Sequence, residues 1–159
     1  MPTHRAQRRT AQDVVTVGRT WLGTPYHHQS SVKGAGCDCL GFVRGVFAEL
    51  HGFTPEEPPA YTMEWGEYGN EELMLDAARR HLVERYVAAD GHVLPLDKQV
   101  WDVGDVLLFR VRLGAVAKHC AIVSGVDTMI HSYSGVGVTE TSIGIWKSRT
   151  AGVFKFPNM

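Results

Sequence analysis

The chain changes abruptly from a polar, glycine-rich loop to an amphipathic helix at residues 36–40. Beyond this junction, apolar side chains recur at helical spacing, namely Leu40, Val43, Val46, Phe47 and Leu50. Asp38 occupies the N-cap position of the predicted helix, which places Cys39 in its first turn. The positive end of the helix dipole favours thiolate over thiol there, and thiolate is the nucleophilic form. The junction therefore predicts a reactive cysteine at the start of a helix, which we expect to end near Gly52.

Helical patterns precede strand patterns along the chain, which is typical of an α+β fold with an antiparallel sheet. Thr10 and Asp13 form a capping pattern that predicts a first helix, ended by residues 23–25. Apolar spacing predicts another helix over about 70–82, followed by one short strand and loops over 83–101. From residue 101 the period becomes two, and the first strand alternates as if it were half-buried. The predicted strands are 105–112, 118–123, 127–132, 135–140 and 153–156.

Composition limits the classes of protein that the chain can belong to. Its 159 residues are 44% hydrophobic and carry a formal charge of -1, which fits one globular domain over residues 1–159 with a flexible tail at 1–9. The near-zero charge argues against a nucleic-acid partner. No apolar stretch is as long as a membrane span, and no hydrophobic segment follows the N-terminal charges. We therefore expect synthesis in the cytoplasm without a signal peptide, and no membrane insertion.

Two histidines on the predicted strands can supply the base that a nucleophilic thiol needs. His119 begins an apolar run, and His131 ends the next strand. In a hairpin centred on Gly125, His119 lies directly opposite His131, and opposed side chains have Cβ atoms about 4.5–5.5 Å apart. The predicted triad is then Cys39 as nucleophile, His119 as base and His131 as the residue that orients the base.

Other roles for the same residues stay open at this point. A histidine on a strand is more often a packed structural residue, and Cys37 and Cys120 have the character of ordinary buried thiols. The alternative from the same side chains is a zinc site of Cys37, Cys39, His119 and Cys120. Its spacing differs from that of zinc knuckles, and adjacent strand residues point to opposite faces. We therefore expect no metal and no cofactor, and three cysteines predict no disulfide framework.

Five short motifs carry a resemblance to a known family. They are Gly23-Thr24-Pro25-Tyr26, Gly36-Cys37-Asp38-Cys39-Leu40-Gly41, Val103-Gly104-Asp105-Val106-Leu107-Leu108-Phe109, His119-Cys120-Ala121-Ile122-Val123 and Ile130-His131. In this order, over residues 10–157, the chain resembles the NlpC-type cell-wall cysteine peptidases, a papain-like group. The resemblance implies an α+β fold in which the helix of the nucleophile packs on an antiparallel sheet. It also implies cleavage of bacterial peptidoglycan stems, typically between D-glutamate and diaminopimelate.

The resemblance assigns roles residue by residue. Cys39 matches the nucleophile, His119 the base and His131 the third polar residue of the family. Tyr26 matches the tyrosine that lines the cleft near the nucleophile, and Asp38 matches the acidic residue before it. Both Tyr26 and Asp38 are expected to bind the substrate.

One departure from the family pattern points to a subgroup. Where most members have serine after the nucleophile, this chain has Leu40, which is similar to the peptidases of phage and gene-transfer-agent tails. The resemblance then implies tail-tip proteins as partners and delivery by a phage-like particle to the periplasm and cell wall. Residues 53–100 match no family motif and are expected to form an extended insertion. The same fold could instead serve a peptidoglycan amidase, an acyltransferase or an idle structural component of the tail.

Overall fold

The computed structural model describes residues 8–58, 71–95 and 99–159, and in these parts helices precede a β-sheet. The elements in chain order are α1 (Ala11–Arg19), β1 (Ser31–Val32), β2 (Gly36–Cys37), α2 (Cys39–His51), α3 (Leu73–His81), β3 (Val83–Glu84), β4 (Val106–Arg110), β5 (Ala117–Val123), β6 (Thr128–Tyr133), β7 (Gly137–Ser142), a 3₁₀ helix (Gly144–Arg149) and β8 (Thr150–Lys155). The α+β class predicted from the sequence is confirmed.

Among the described residues, the main sheet is antiparallel and has six strands in the order β3-β8-β4-β5-β6-β7. The last strand of the chain, β8, lies between β3 and β4. Because β8 covers one side of β4, strands β4 and β5 lie in the interior of the sheet. The candidate base His119 is on β5, where it pairs with Phe109 of β4.

Both faces of the sheet are covered, each by its own hydrophobic cluster. The larger cluster joins the sheet to the helices and includes Phe42 and Val46 of α2. The second cluster, on the other face, includes Leu107 and Phe109. The alternating pattern of 105–112 predicted a half-buried strand, and this is wrong, because residues 106–109 are all buried. The second face is covered by side chains outside the predicted strands, namely Tyr86, Trp101, Ile143 and Trp146.

The predicted caps place the first two helices correctly. Thr10 and Asp13 form the expected capping box, although α1 ends at Arg19, before residues 23–25. Helix α2 begins at Cys39 with Asp38 as its N-cap, and it ends at Gly52, whose φ of 77° is left-handed. The cap chemistry therefore fixes where Cys39, the predicted nucleophile, lies relative to the helix axis.

Three further sequence predictions meet different outcomes. The helix expected over 70–82 is α3, and the short strand expected after it is β3. The polar, glycine-rich loop predicted before α2 contains β1 and the start of β2, which form a small hairpin. The 3₁₀ helix after β7 was not predicted, because six residues carry no usable periodicity.

Some predictions fall partly outside the described residues. One is the flexible tail predicted at 1–9, of which only residues 8 and 9 are described. The other is the insertion predicted at 53–100, in which residues 59–70 and 96–98 lie outside the described ranges. Both, like the single-domain organisation, stay predictions. Within the described ranges, the structure contains no helix with the length and apolar character to cross a membrane.

Candidate active site

The start of α2 holds Cys39 in a fixed position. One carboxylate oxygen of Asp38 accepts a hydrogen bond from the Gly41 backbone N–H at 2.7 Å, and the other accepts from the Gln29 N–H at 2.8 Å. Asp38 is 3% exposed, so its carboxylate is an internal support of the loop and the helix. Direct contact of Asp38 with substrate stays a prediction. Cys39 lies at the positive end of the helix dipole, as expected from the sequence.

The start of α2 lies beside the part of the sheet where β5 and β6 separate. The described ladder between these strands joins Ile122 to Ile130 and Val123 to Met129, and it does not continue toward residue 119. Beyond the end of this ladder, residues 37–39 form hydrogen bonds with both strands. In its thiol form the Cys39 side chain donates to the Lys118 carbonyl at 3.8 Å, and the Cys120 thiol donates to the Cys39 carbonyl at 3.3 Å.

From β6, the Ser132 hydroxyl donates to the Cys37 carbonyl at 2.7 Å. Residues 37–39 are therefore held by β5 on one side and by β6 on the other.

The two histidines form a hydrogen-bonded pair. Nε2 of His119 lies 2.8 Å from Nδ1 of His131, and Nε2 of His131 lies 3.1 Å from the hydroxyl of Thr141. His119 is 7% exposed and His131 is 4% exposed, so water competes little for this pair. Because His131 occupies Nε2 of His119, the Nδ1 atom of His119 is the nitrogen left for the Cys39 thiol.

The predicted register of the β5–β6 hairpin is wrong by two residues. The hairpin centred on Gly125 would have paired Val123 with Asp127, whereas Val123 pairs with Met129. Extended along the strands, the observed register sets Tyr133, and not His131, across from His119. A shift of two residues keeps each side chain on its face of the sheet, so the two imidazoles still meet diagonally.

Local interactions shift the pKa values of the site in a catalytic direction. Hydrogen bonding from the Cys120 side chain, and then hydrogen bonding and charge from His119, lower the pKa of Cys39, against the opposing effect of burial. Burial, with the charge of His119, lowers the pKa of His131 to about 4. At neutral pH these shifts favour a thiolate at Cys39 and a neutral ring at His131.

Tyr26 lies close enough to Cys39 to interact with it electrostatically. It forms an isolated parallel bridge with Cys37 and is half-buried. Burial, followed by the negative charges of Cys39 and Asp38, raises the pKa of Tyr26 to about 12. The tyrosine is therefore a protonated hydroxyl within electrostatic range of the thiolate, where it can donate a hydrogen bond. Its contact with substrate stays a prediction.

The zinc alternative finds no support in this geometry. Within the parts of the chain that are described, no three histidine, cysteine or acidic side chains are grouped so that they could hold a metal ion. Cys120 instead bonds to the backbone of Cys39, and His119 bonds to His131.

Sequence reasoning missed two residues of the site. Thr141 follows the predicted strand 135–140 directly, and it bonds to His131 only because β7 pairs with β6. Trp146 is in the unpredicted 3₁₀ helix, and its ring centroid lies 4.8 Å from that of His119. A lone tryptophan in a polar segment is a weak signal of a buried contact, and it does not name the partner.

A thiolate at a helix start, next to an imidazole that a second polar ring orients, is the arrangement of cysteine hydrolases with a papain-like architecture. Comparison with known proteins agrees. A sequence model of the NlpC/P60 family matches residues 23–155. The chain therefore belongs to the NlpC/P60 family, which consists of cysteine peptidases and related hydrolases.

Solved structures have the same fold at low sequence identity. An NlpC/P60 family protein from Bacillus cereus ATCC 10987 has a TM-score of 0.61 and 21% identity, over 94% of this chain and 41% of that one. The NlpC/p60 domain of the peptidoglycan hydrolase SagA has a TM-score of 0.57 and 19% identity, over 93% of this chain and 100% of that one.

NlpC1 from Trichomonas vaginalis has a TM-score of 0.60 and 15% identity, over 92% of this chain and 44% of that one. The chain thus spans less than half the length of the Bacillus and Trichomonas chains. No curated protein matches it in sequence.

Proposed function

We propose that the chain is a cysteine peptidase that hydrolyses the peptide stems of bacterial peptidoglycan. In this proposal Cys39 is the nucleophile, His119 the base and His131 the residue that orients the base. The observation that carries it is the connected series from the Cys39 thiol through His119 to His131. Membership of the NlpC/P60 family supports the substrate class. The SagA protein, whose domain has a similar fold, is itself named a peptidoglycan hydrolase.

The first chemical step forms an acyl-enzyme. The Cys39 thiolate attacks a carbonyl carbon of the stem peptide, and negative charge develops on the carbonyl oxygen. The first backbone N–H groups of a helix have no partner within the helix, so the N–H of Cys39 can donate to this oxygen. The Tyr26 hydroxyl is the second donor, and its raised pKa keeps it protonated. As the carbon–nitrogen bond breaks, the imidazolium of His119 protonates the departing amine.

The second step releases the acyl group by hydrolysis. His119, now neutral, takes a proton from a water molecule, whose oxygen attacks the thioester carbon. Cys39 leaves as a thiolate and His119 is again an imidazolium. His131 stays neutral throughout because its pKa is about 4, so it holds His119 without competing for the proton. These steps require no metal and no organic cofactor.

We further propose that the scissile bond joins D-glutamate to diaminopimelate, and that the peptidase acts within a phage-like tail that opens the wall locally. Leu40 after the nucleophile supports the tail subgroup. Its side chain is half-buried and packs against the main core, which explains why an apolar residue suits this position. Proteomic detection of the chain in purified tailed particles, and not only in cell extracts, tests the location.

Digestion of purified sacculi tests the activity. Wild-type protein is expected to release fragments whose masses correspond to a cut within the stem peptide. C39A should lower the rate at least about a thousandfold, whereas C37A, which changes a buried cysteine outside the catalytic series, should retain activity.

Two outcomes would overturn the assignment. A cut at the bond between the sugar lactyl group and the peptide, or transfer of the acyl group to an added amine, would indicate the amidase or the acyltransferase. No release of fragments by any variant, despite normal folding, would indicate an idle structural component.

A further inference from the structure

The indole of Trp146 lies against the imidazole pair, in a position that the proposed chemistry does not use. Its centroid is 4.8 Å from that of His119, with an angle of 31° between the ring planes. The centroid of the indole lies 6.2 Å from that of His131 and 6.1 Å from that of Tyr133, and in both pairs the rings are close to edge-on. Trp146 is therefore the aromatic ring nearest to the proposed base, and its ring plane is closer to parallel with that of His119 than with those of His131 and Tyr133.

Phe109 lies beside both the indole and the imidazole. It lies 6.0 Å from His119 and 5.2 Å from Trp146, measured between ring centroids. If His119 lay between Phe109 and Trp146, the centroids of these two rings would be much farther apart than 5.2 Å. Phe109 is fully buried, so it is a rigid part of the second cluster. The three rings thus form a triangle in which the imidazole contacts Trp146 most closely and Phe109 on a second side.

Backbone and side-chain contacts fix the 3₁₀ helix that carries Trp146. Ile143, just before this helix, is fully buried, and its N–H donates to the Asp127 carbonyl at 2.9 Å. The Lys147 ammonium lies 2.9 Å from the Asp127 carboxylate. The Thr150 hydroxyl donates to the Trp146 carbonyl at 3.4 Å. These contacts hold the indole in place before any substrate binds.

We propose that Trp146 is a positioning residue for His119: its ring holds the imidazole in the orientation that reaches both Cys39 and His131, and it favours the protonated ring. This inference rests on the proposed function. The face of an indole carries negative electrostatic potential and attracts a cation within about 6 Å. His119 must be protonated both in the resting ion pair with the thiolate and when it donates to the leaving amine. Stabilising that form therefore favours the reactive thiolate and the first chemical step.

Several groups besides Trp146 act on the charge of His119. Cys39 faces it from α2, His131 and Tyr133 from β6, and Lys118 precedes it on β5. The Arg149 guanidinium lies 5.7 Å from the centroid of the indole. Replacing Trp146 by an apolar residue leaves all these groups in the protein. Because the Arg149 guanidinium lies over the indole, removing the indole would free this cation to approach the imidazole, so Arg149 requires a control of its own.

The test compares W146L with W146F, R149Q and W146L/R149Q. Alkylation of Cys39 by iodoacetamide, followed by mass spectrometry from pH 4 to 9, reports the thiolate without any substrate. Without the indole, we expect the pH of half-maximal alkylation to rise by about one unit, with a smaller shift in W146F, which retains a ring. R149Q should resemble wild type, and the double variant should resemble W146L.

Kinetics on purified muropeptides give the second measurement. W146L should lower kcat about tenfold with little change in KM, and the alkaline limb of kcat/KM should move to lower pH. If W146L does not fold, W146M serves as a second variant without an aromatic ring.

Alkylation at the wild-type rate and pH midpoint in W146L would overturn the inference, even if the melting temperature fell, because Trp146 would then only cover the core. A shift in alkylation in a protein whose wild type cleaves no peptidoglycan would instead overturn the proposed substrate and leave the role of Trp146 intact.

Discussion

The hydrogen bond between His131 and Thr141 determines which nitrogen of His131 faces the base. A neutral imidazole has one donor and one acceptor nitrogen. If Nε2 of His131 donates to the Thr141 hydroxyl, its Nδ1 must accept from Nε2 of His119. Nδ1 of His119 then carries a lone pair and can take the proton of Cys39. The Thr141 hydroxyl is connected to the Cys39 thiol only through His131 and His119, yet it selects the tautomer of both rings that the proposed chemistry needs.

Substitution of Thr141 by valine keeps the shape of the side chain and removes the hydroxyl. We expect T141V to lower kcat about fivefold with KM unchanged, because one neutral hydrogen bond is lost and the exposed site allows water to replace part of it. T141S, which retains the hydroxyl, is the matched control and should act as wild type. Steady-state kinetics on muropeptides provide the measurement. Equal kcat values for the two variants would show that Thr141 does not orient His131.

Residues differ in how far the sequence alone can identify them. Cys39 and Asp38 were predictable because helix caps are local and the cap residue stands next to the nucleophile. His119 and His131 could be paired approximately, since alternation fixes the face on which they lie. Thr141 and Trp146 could not be found, because their contacts depend on the register of β6 with β7 and on a short helix without periodicity.

At the scale of elements, the site depends on how closely α2 docks against the preceding loop. A Cβ atom on Gly41 would lie 1.8 Å from the Ser30 carbonyl oxygen. The Ser31 hydroxyl also donates to the Gly41 carbonyl at 2.6 Å. The first turn of the helix can therefore approach the loop only where it has no side chain, and this approach sets the position of Cys39.

We expect G41A to lower the free energy of unfolding by about 3 kcal/mol, since the backbone of the loop must move to admit the methyl group. Its activity should fall as well, because the nucleophile moves with the first turn. The matched control is G18A in α1, another helical glycine that is buried, where the nearest atom to an added Cβ is 3.4 Å away on a side chain. Its unfolding free energy should stay within about 1 kcal/mol of wild type. Urea denaturation of both variants decides this, and similar losses would contradict the docking argument.

The failures of element prediction have a common cause. The sequence of β4 alternates, yet the strand is buried on both faces because Trp101 and Trp146 come from segments without a regular pattern. The observed β5–β6 register differs by two residues from the predicted one. The geometry of the turn sets the pairing, and the sequence spacing did not determine that geometry. In both cases local pattern identified the element, and long-range packing determined its surroundings.

At the scale of the whole molecule, burying the imidazole pair couples activity to stability. Helix α2 supplies Cys39, the proposed nucleophile, and β5 and β6 supply the two histidines, so His131 must lose its contact with water when the helices pack on the sheet. Burial penalises the charged ring, which is why its pKa falls to about 4. Folding therefore requires His131 to be neutral, and the protein is less stable wherever the unfolded chain would protonate it.

This coupling predicts the direction of the pH dependence. Histidine in an unfolded chain has a pKa of about 6.5, so between pH 6.5 and 4 the unfolded state binds more protons than the folded state. The free energy of unfolding should fall as pH decreases through this window, by about 3 kcal/mol for His131 alone.

Urea denaturation from pH 4 to 7 would measure the effect in C39A and in C39A/H131N. The C39A background removes the titration of the thiol, and asparagine keeps a polar side chain that cannot titrate. The double variant should lose the part of the slope that belongs to His131. Parallel curves for the two proteins would mean that His131 binds a proton as readily in the folded protein as in the unfolded chain, so that burial does not keep its ring neutral.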